Sequence, residues 1–150
     1  MRGREGVDSE TLERLRAYFS RQEPVLAAFG FGSFFAGRAC RESDVDVAVV
    51  LGPAYPGEVD PFALRVRLAS DLVGILHRNE VDVLVLNEAP PLLAARVLRE
   101  GVRIYCRQEA ALREFLRDTL LRAADLAPFL ARHERTLLRI LAHELSRGAD

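Results

Sequence analysis

Lysine is missing from this sequence, in which all 21 basic side chains are arginine. A guanidinium group cannot replace the amine of a P-loop lysine, of a Schiff-base lysine or of the lysine on the kinase strand. The sequence therefore excludes these three kinds of lysine chemistry. A phosphate group bound by this chain must be held by a metal ion, by backbone N–H groups or by arginine.

Cysteine is scarce, net charge is nearly balanced and long apolar runs are absent. Cys40 and Cys106 are too few for a zinc site, and they fit a reducing compartment better than a disulfide framework. The net charge of −1 gives no broad attraction to nucleic acid, so direct nucleic-acid binding is not expected. No stretch approaches the ~18 apolar residues of a membrane span. We therefore expect a cytoplasmic protein with no membrane contact.

The overall composition suits one folded domain. The chain has 150 residues, of which 49% are apolar and 29% are charged. This length is close to that of one ordinary domain. We predict a single domain over residues 1–150, with a core at about 20–106 and C-terminal helices at about 108–146.

Four stretches of the sequence predict strands. Val25 to Phe31 is a brief apolar run bounded by glycine, and residues 44–51 change from acidic and apolar alternation to a wholly apolar run. We expect the second of these to be a central strand with a solvated start. Residues 80–86 again alternate with a period of two, and residues 102–106 complete the set.

Helical periodicity fills the intervals between the predicted strands. Ser9 is the predicted N-cap of a helix that extends to about Phe19, and Asp60 with Pro61 marks the start of another. The apolar face of this second helix is predicted to comprise Phe62, Val66, Ala69, Leu72, Val73 and Leu76. Further helical patterns cover residues 90–100 and 108–146. The alternation predicts an α/β (α+β) fold, in which helices flank a small mixed sheet.

A Gly-Ser pair directly follows the first strand. Gly32 leaves the backbone N–H groups of the turn unobstructed, and Ser33 adds a hydroxyl group. Exposed backbone N–H groups with a nearby hydroxyl suit a phosphate. Gly32 and Ser33 are therefore candidate phosphate-binding residues.

Two acidic residues open the second strand. Asp44 and Asp46 alternate with valine, so both carboxylates are predicted to point to one face while Val45 and Val47 enter the core. Two carboxylates on one face repel each other unless a cation lies between them. Their ~6.7 Å Cα separation lets them converge on a hard divalent ion such as Mg²⁺.

A third carboxylate is available on the next long strand. Asp82 lies between two valines and is predicted to be about one strand spacing, ~4.8 Å, from the first pair. Glu80 shares its face and is the rival third ligand, but Asp82 is favoured because it lies deeper in the apolar strand. Three carboxylates can hold two metal ions for in-line displacement at phosphorus. Asp82 could also accept the proton of the nucleophile.

The order of these motifs resembles the nucleotidyltransferase core of the DNA polymerase β superfamily. Gly32-Ser33 precedes Asp44-x-Asp46, with Gly37 and Ser43 between them, and the strand with Asp82 follows. The short chain and the segment 87–105 resemble the minimal nucleotidyltransferases, or MNT proteins. This resemblance covers about residues 20–125.

The resemblance implies MgATP-dependent transfer of AMP to a tyrosine of a partner HEPN toxin, which is a ribonuclease. It implies that Gly32 and Ser33 hold the triphosphate and that Asp44 and Asp46 bind Mg²⁺. Asp82 would serve the nucleophile, through a metal or as a proton acceptor. Ser43 is equally suited to a ligand role and to capping the turn before the strand. The resemblance is compatible with a homo- or hetero-oligomer.

One departure from the family pattern bears on activity. The family usually has alanine and arginine where this chain has Phe35 and Ala36. An arginine near the phosphates would stabilise negative charge, and Arg38 and Arg41 are candidate substitutes. Two alternatives therefore accompany the enzyme hypothesis. One is an antitoxin that neutralises its partner by binding alone, and the other is nucleotidyl transfer to a small molecule.

Overall fold

The computed structural model describes residues 7–35, 45–52 and 57–126, together with residues 128, 139, 142 and 143. Within these residues a four-stranded sheet has the order β3-β2-β1-β4. Strands β2 and β3 are parallel, whereas β1 pairs antiparallel with β2 and β4. The predicted mixed sheet is confirmed. The elements in chain order are α1 Ser9–Ser20, β1 Val25–Phe31, α2 Gly32–Phe35, β2 Val45–Leu51, α3 Pro61–Leu76, β3 Val81–Val85, α4 Pro91–Glu100, β4 Val102–Cys106 and α5 Glu109–Asp125.

The sheet carries a hydrophobic core on each face, because side chains alternate along every strand. Val45, Val47 and Val49 of β2 face a cluster that includes residues of α1 and α3. Ala48 and Val50 face the other cluster, which includes residues of α4 and α5. All seven residues of β2 are buried, as a central strand covered on both faces requires.

The ends of the helices follow local capping chemistry. Asp8 is the N-cap of α1, where its side chain accepts a hydrogen bond of 2.7 Å from the N–H of Thr11. The prediction of Ser9 as this cap was wrong by one residue, because the carboxylate of Asp8 reaches the exposed N–H groups of the first turn. Asp60 caps α3 as predicted, and its Oδ1 accepts from the N–H of Phe62 at 3.0 Å.

The predicted apolar face of α3 was partly wrong. The buried residues are Leu64, Leu68, Leu72 and Leu76, spaced by four. Phe62 and Val66 are 71% and 56% exposed. Residues two apart on a helix project about 200° apart, so a face centred on Leu64 and Leu68 directs Phe62 and Val66 outward. The leucine spacing, not the total apolar count, determines which face packs.

The two ends of the sheet differ in what the strands carry there. We call the end that contains Phe31, Asp46, Asp82 and Val102 the Asp46 end. We call the opposite end, which contains Val25, Leu51, Val85 and Cys106, the Arg107 end. Of the predicted C-terminal helical region 108–146, α5 accounts for Glu109–Asp125, and most later residues lie outside the described part of the chain.

None of the helices in the described ranges is both long and apolar enough to cross a membrane.

Candidate active site at the Asp46 end

Asp46 and Asp82 are direct neighbours in the parallel ladder between β2 and β3. Adjacent strands lie about 4.8 Å apart, and residues in register point to the same face of a sheet. The predicted juxtaposition of Asp82 with the first acidic strand is therefore present. Glu80 lies just before the first residue of β3 and is exposed. The register thus favours Asp82 over Glu80 as the carboxylate beside Asp46.

Asp46 is buried to a degree that the sequence pattern did not predict. Asp46 is only 2% exposed, whereas Asp82 is exposed. The expectation of a solvated start to β2 is wrong at this residue, because β1 and β3 flank it in the sheet and Gly32 lies against its carboxylate. Burial of an ionised carboxylate is costly unless hydrogen-bond donors or a cation accompany it. A buried carboxylate beside an exposed one is typical of a functional position.

Gly32 brings the chain against the carboxylate of Asp46. Its φ is +78°, a left-handed conformation that side chains rarely adopt. A Cβ atom at this position would also overlap Asp46 Oδ2 and would lie 3.3 Å from Asp46 Cγ. Glycine is thus required for two independent reasons, and the predicted phosphate turn lies against the predicted metal ligand. Ser33 is the next residue in α2.

Phe35 packs in the hydrophobic core and not among the carboxylates. It is 6% exposed and belongs to the cluster that contains Val45 and Val47. The side chains of these valines alternate with that of Asp46 along β2, so Phe35 lies on the opposite face of the sheet. A Cβ atom at Gly30 would overlap the Phe35 ring, which explains the glycine there. The unusual Phe35 is therefore accommodated by the core.

Several predicted site residues lie outside the described ranges. Residues 36–44, which include Ala36, Cys40, Ser43 and Asp44, are among them, and the roles of Ser43 and Asp44 stay predictions. Among the described residues, no three side chains of the metal-binding types form a group that could hold an ion. Asp44 lies outside the described ranges, and the other two predicted carboxylates, Asp46 and Asp82, are neighbours in the sheet. Their hard oxygen donors fit Mg²⁺ in chemical type.

Two tyrosines in the described part of the chain, Tyr18 and Tyr105, are engaged in packing. The hydroxyl of Tyr18 on α1 donates a hydrogen bond of 2.6 Å to Asp71 Oδ2 on α3. Burial, and secondly this hydrogen bond to Asp71, raise the pKa of Tyr18 above its usual range. The Arg107 guanidinium lies 5.6 Å from the centroid of the Tyr105 ring. Tyr18 and Tyr105 thus join neighbouring elements of the fold.

Sequence reasoning missed Arg78, which lies in the turn between α3 and β3. Its guanidinium carbon is 4.8 Å from the centroid of the Phe34 ring, directly after the Gly32-Ser33 pair. The sequence offered a signal in the form of an arginine placed three residues before a strand that carries an acidic site residue. Its link with Phe34, which is distant in sequence, needed the tertiary structure.

Comparison with known proteins supports this interpretation of the fold. The family profile described as Polymerase beta, Nucleotidyltransferase matches residues 13–110. A comparison with curated protein sequences finds no match. The profile match covers both described carboxylates and the Gly32-Ser33 pair.

Solved structures of similar fold come from toxin–antitoxin complexes. A toxin–antitoxin with AMP-PNP contains a chain with a TM-score of 0.61 and 22% identity, covering 90% of this chain and 99% of that chain. The toxin–antitoxin MntA-HepT gives a TM-score of 0.59 and 18% identity, with coverage of 89% and 99%. A complex of tri-AMPylated Shewanella oneidensis HEPN toxin with MNT antitoxin gives 0.56 and 19%, with coverage of 87% and 98%. At these identities the likeness establishes the shared fold.

Proposed function

Because this chain belongs to the polymerase β nucleotidyltransferase family, we propose that it is an MNT antitoxin that transfers AMP from MgATP to a tyrosine of a HEPN-type toxin. The observation that carries this proposal is the in-register pair of Asp46 and Asp82 beside Gly32. Two structures of similar fold contain AMP-PNP or a tri-AMPylated HEPN toxin, which supports the choice of nucleotide and acceptor.

The proposed reaction is an in-line displacement at the α-phosphorus of ATP. The acceptor tyrosine oxygen forms a bond to that phosphorus, and the bond to the bridging oxygen of the β-phosphate breaks. Pyrophosphate leaves with the electron pair of the broken bond. The carboxylate of Asp82, which is exposed, would take the hydroxyl proton.

The residues of the Asp46 end divide the remaining tasks. Asp46 and Asp82, with Asp44, would hold Mg²⁺, while the backbone at Gly32 and Ser33 would hold the triphosphate. When bound, Mg²⁺ would neutralise phosphate charge and favour the ionised form of the attacking hydroxyl. Burial fixes the position of Asp46, and the exposure of Asp82 leaves the acceptor side open to a protein. An open acceptor side suits a tyrosine presented by a partner.

The test is transfer of label to the toxin. The pure chain is incubated with α-labelled ATP, Mg²⁺ and the HEPN protein encoded beside it, and label on the toxin is measured. We expect Asp46→Asn to lower the rate by at least ~100-fold, since even the loss of an outer-shell partner of a metal costs 10–100-fold. The matched control is Asp118→Asn, which removes an exposed carboxylate on α5 and should leave the rate unchanged.

The same experiment separates transfer from neutralisation by binding. Toxin ribonuclease activity is measured in parallel with label. If the wild type and Asp46→Asn both silence the toxin fully while neither adds label, the enzyme proposal is wrong and the antitoxin acts by binding alone. Label that appears only on a small molecule added as acceptor would also overturn the choice of a protein substrate.

A further inference from the structure

We propose that Phe31 is the platform on which the base of the nucleotide stacks in the candidate active site. This inference rests on the proposed function and extends it by naming a residue that binds the adenine ring. Phe31 is the last residue of β1 and directly precedes the Gly32-Ser33 pair. Its side chain therefore lies where the strand meets the turn that is proposed to hold the triphosphate.

The strand register places Phe31 beside the carboxylates. In the antiparallel pairing of β1 with β2, Phe31 is the direct partner of Asp46. Asp46 is in turn the direct partner of Asp82 in the parallel pairing of β2 with β3. Residues directly opposite each other on neighbouring strands point to the same face, with Cβ atoms about 4.5–5.5 Å apart in an antiparallel pair. Phe31, Asp46 and Asp82 thus form one row across three strands, on one face of the sheet.

The order within this row separates the nucleotide from the acceptor. Asp46 lies in the middle, with Phe31 on one side of it and Asp82 on the other. The acceptor tyrosine of the proposed reaction approaches Asp82, which is exposed and would take its proton. Phe31 is on the opposite side, next to the Gly32-Ser33 turn. The flat group that a nucleotide can stack on an aromatic ring there is its base.

The side chain of Phe31 is anchored in the core and remains partly accessible. Phe29, two residues earlier on the same face, is only 4% exposed and belongs to the core cluster shared with α4 and α5. Phe31 packs against that cluster and is half-buried. On the β4 side, Val102 pairs with Gly30, and the residue that precedes it is Gly101, which has no side chain. An anchored ring loses little conformational freedom when a ligand stacks on it.

An aromatic platform supplies binding energy that the phosphate contacts cannot. Mg²⁺ and the backbone of the Gly32-Ser33 turn would contact the phosphates of ATP and of inorganic tripolyphosphate alike. Stacking on an aromatic ring favours only a ligand that has a base, by about tenfold or more in affinity. Since every base has a π face, stacking is tolerant of base identity. The platform should therefore distinguish a nucleotide from free polyphosphate, with little preference between ATP and GTP.

The experiment compares the binding of ATP and of inorganic tripolyphosphate to the full chain with Mg²⁺, by isothermal titration. We expect Phe31→Leu to weaken ATP binding about tenfold, because leucine keeps an apolar side chain against the core cluster but has no ring. Tripolyphosphate, which has no base, should bind the variant as it binds the wild type. Phe31→Tyr keeps the ring and should bind ATP within about twofold of the wild type.

Phe115→Leu is the matched control. Phe115 is also half-buried and packs against the same core cluster, but it lies on α5 and not on a strand of the candidate site. Its variant loses the same ring and should bind ATP as the wild type does. If Phe115→Leu weakens ATP binding as much as Phe31→Leu, the effect comes from a loosened core, and the proposal is overturned. Circular dichroism checks that each variant is folded.

Labelling of the toxin provides a second measurement. A contact to the base is made equally before and during the transfer, so its loss should raise the KM for ATP while kcat changes much less. A displaced Asp46 carboxylate would lower kcat instead. A fall in kcat of Phe31→Leu with an unchanged KM would therefore give Phe31 a structural role beside Asp46 and overturn the proposal.

The possible results distinguish this proposal from the broader one. Unchanged ATP binding by folded Phe31→Leu, in a chain whose wild type binds ATP and labels the toxin, overturns the role of Phe31 alone. An equal loss for ATP and tripolyphosphate also overturns it, because it indicates a change in phosphate binding. A loss specific to ATP in a chain whose wild type labels no toxin supports the platform and overturns the transfer to a protein. A wild type that binds no nucleotide in the presence of Mg²⁺ overturns both proposals.

Discussion

The two ends of the sheet satisfy their polar groups in different ways. At the Arg107 end, Asn87 Oδ1 accepts from Leu51 N at 2.7 Å, and Asn87 Nδ2 donates to Leu51 O at 3.2 Å. Arg107 donates to the carbonyl oxygens of Val25, Ser20 and Gln22 at 3.1–3.3 Å. These side chains continue the backbone hydrogen bonding of the strands where the strands end. The Arg107 end is thus built from neutral amide contacts and one cation shared among carbonyls.

By contrast, the Asp46 end brings together negatively charged side chains and residues with left-handed backbone. It has two neighbouring carboxylates, one of them buried, and left-handed backbone at Gly32 and His77. Such features lower stability and are typical of sites whose geometry serves a ligand. The contacts of the Arg107 end stabilise the sheet, whereas the Asp46 end carries groups that cost stability, as the proposed active site requires. Four substitutions or additions test this contrast.

The largest effect is expected for Gly32→Ala. The variant must adopt left-handed backbone and must displace the carboxylate of Asp46, so the free energy of unfolding should fall by about 3 kcal/mol. Gly74→Ala is the matched control, because a Cβ there meets nothing within 4 Å and α3 should gain about 1 kcal/mol. Urea denaturation measures both. Similar stability changes in the two variants would contradict the described turn.

Asn87→Ala should lower the free energy of unfolding and leave the rate of AMP transfer unchanged. It leaves Leu51 N and Leu51 O without their side-chain partners, at a cost of about 2 kcal/mol. Asn79→Ala, at an exposed position in the turn before β3, should change stability by less than about 0.5 kcal/mol. Thermal unfolding gives the stability, and labelling of the toxin at 20 °C gives the rate. Loss of labelling in folded Asn87→Ala would contradict the proposal that the Arg107 end serves stability and not the reaction.

Arg107→Lys should have a smaller effect of the same kind. Lysine keeps the positive charge but cannot reach three carbonyl oxygens with a planar fork, so we expect a loss of about 1 kcal/mol. Arg113→Lys, at an exposed position on α5, is the control and should be neutral. Chemical denaturation compares them. Equal free energies of unfolding in the two variants would show that the contacts between Arg107 and the carbonyl oxygens do not stabilise this end of the sheet.

The smallest effect concerns Mg²⁺ at the Asp46 end. At a Mg²⁺ concentration near its Kd, the wild-type Tm should rise by about 1 °C, because binding to the folded chain stabilises it. Asp46→Asn removes one proposed ligand and should show no rise, whereas Asp118→Asn should behave as the wild type does. Differential scanning calorimetry measures the shifts. An equal rise in Asp46→Asn would place the ion elsewhere.

Much of the fold could be predicted from local sequence patterns. The apolar run Val25–Phe31 forms β1 with those bounds, and Asp60 with Pro61 begins α3 as predicted. Such features depend on neighbouring residues, which the sequence displays directly. The face of α3 was harder, because apolar residues cover more than one side of it. Which side packs depends on the partner surface, and that surface is formed by distant residues.

The candidate site could be predicted in its members but not in its arrangement. Gly32 and Asp46 stand out by residue type and spacing, yet their contact follows from a left-handed turn that brings separate strands together. The position of the Phe35 side chain was also decided by tertiary packing. Its ring enters the core only because Gly30, on the preceding strand, leaves space for it. Neither contact can be inferred from spacing, because both depend on how the strands pair.

By itself, the sequence determined that any phosphate bound by this protein must be held without lysine. It also determined the acidic residues, the glycine turn and the order of strands and helices. Only the tertiary structure decided that Asp82 is the neighbour of Asp46, that Asp46 is buried, and that Arg78 lies on Phe34. The physical reason is that composition and periodicity act through the local chain. Register, burial and cation–π contact depend on segments that meet only after folding.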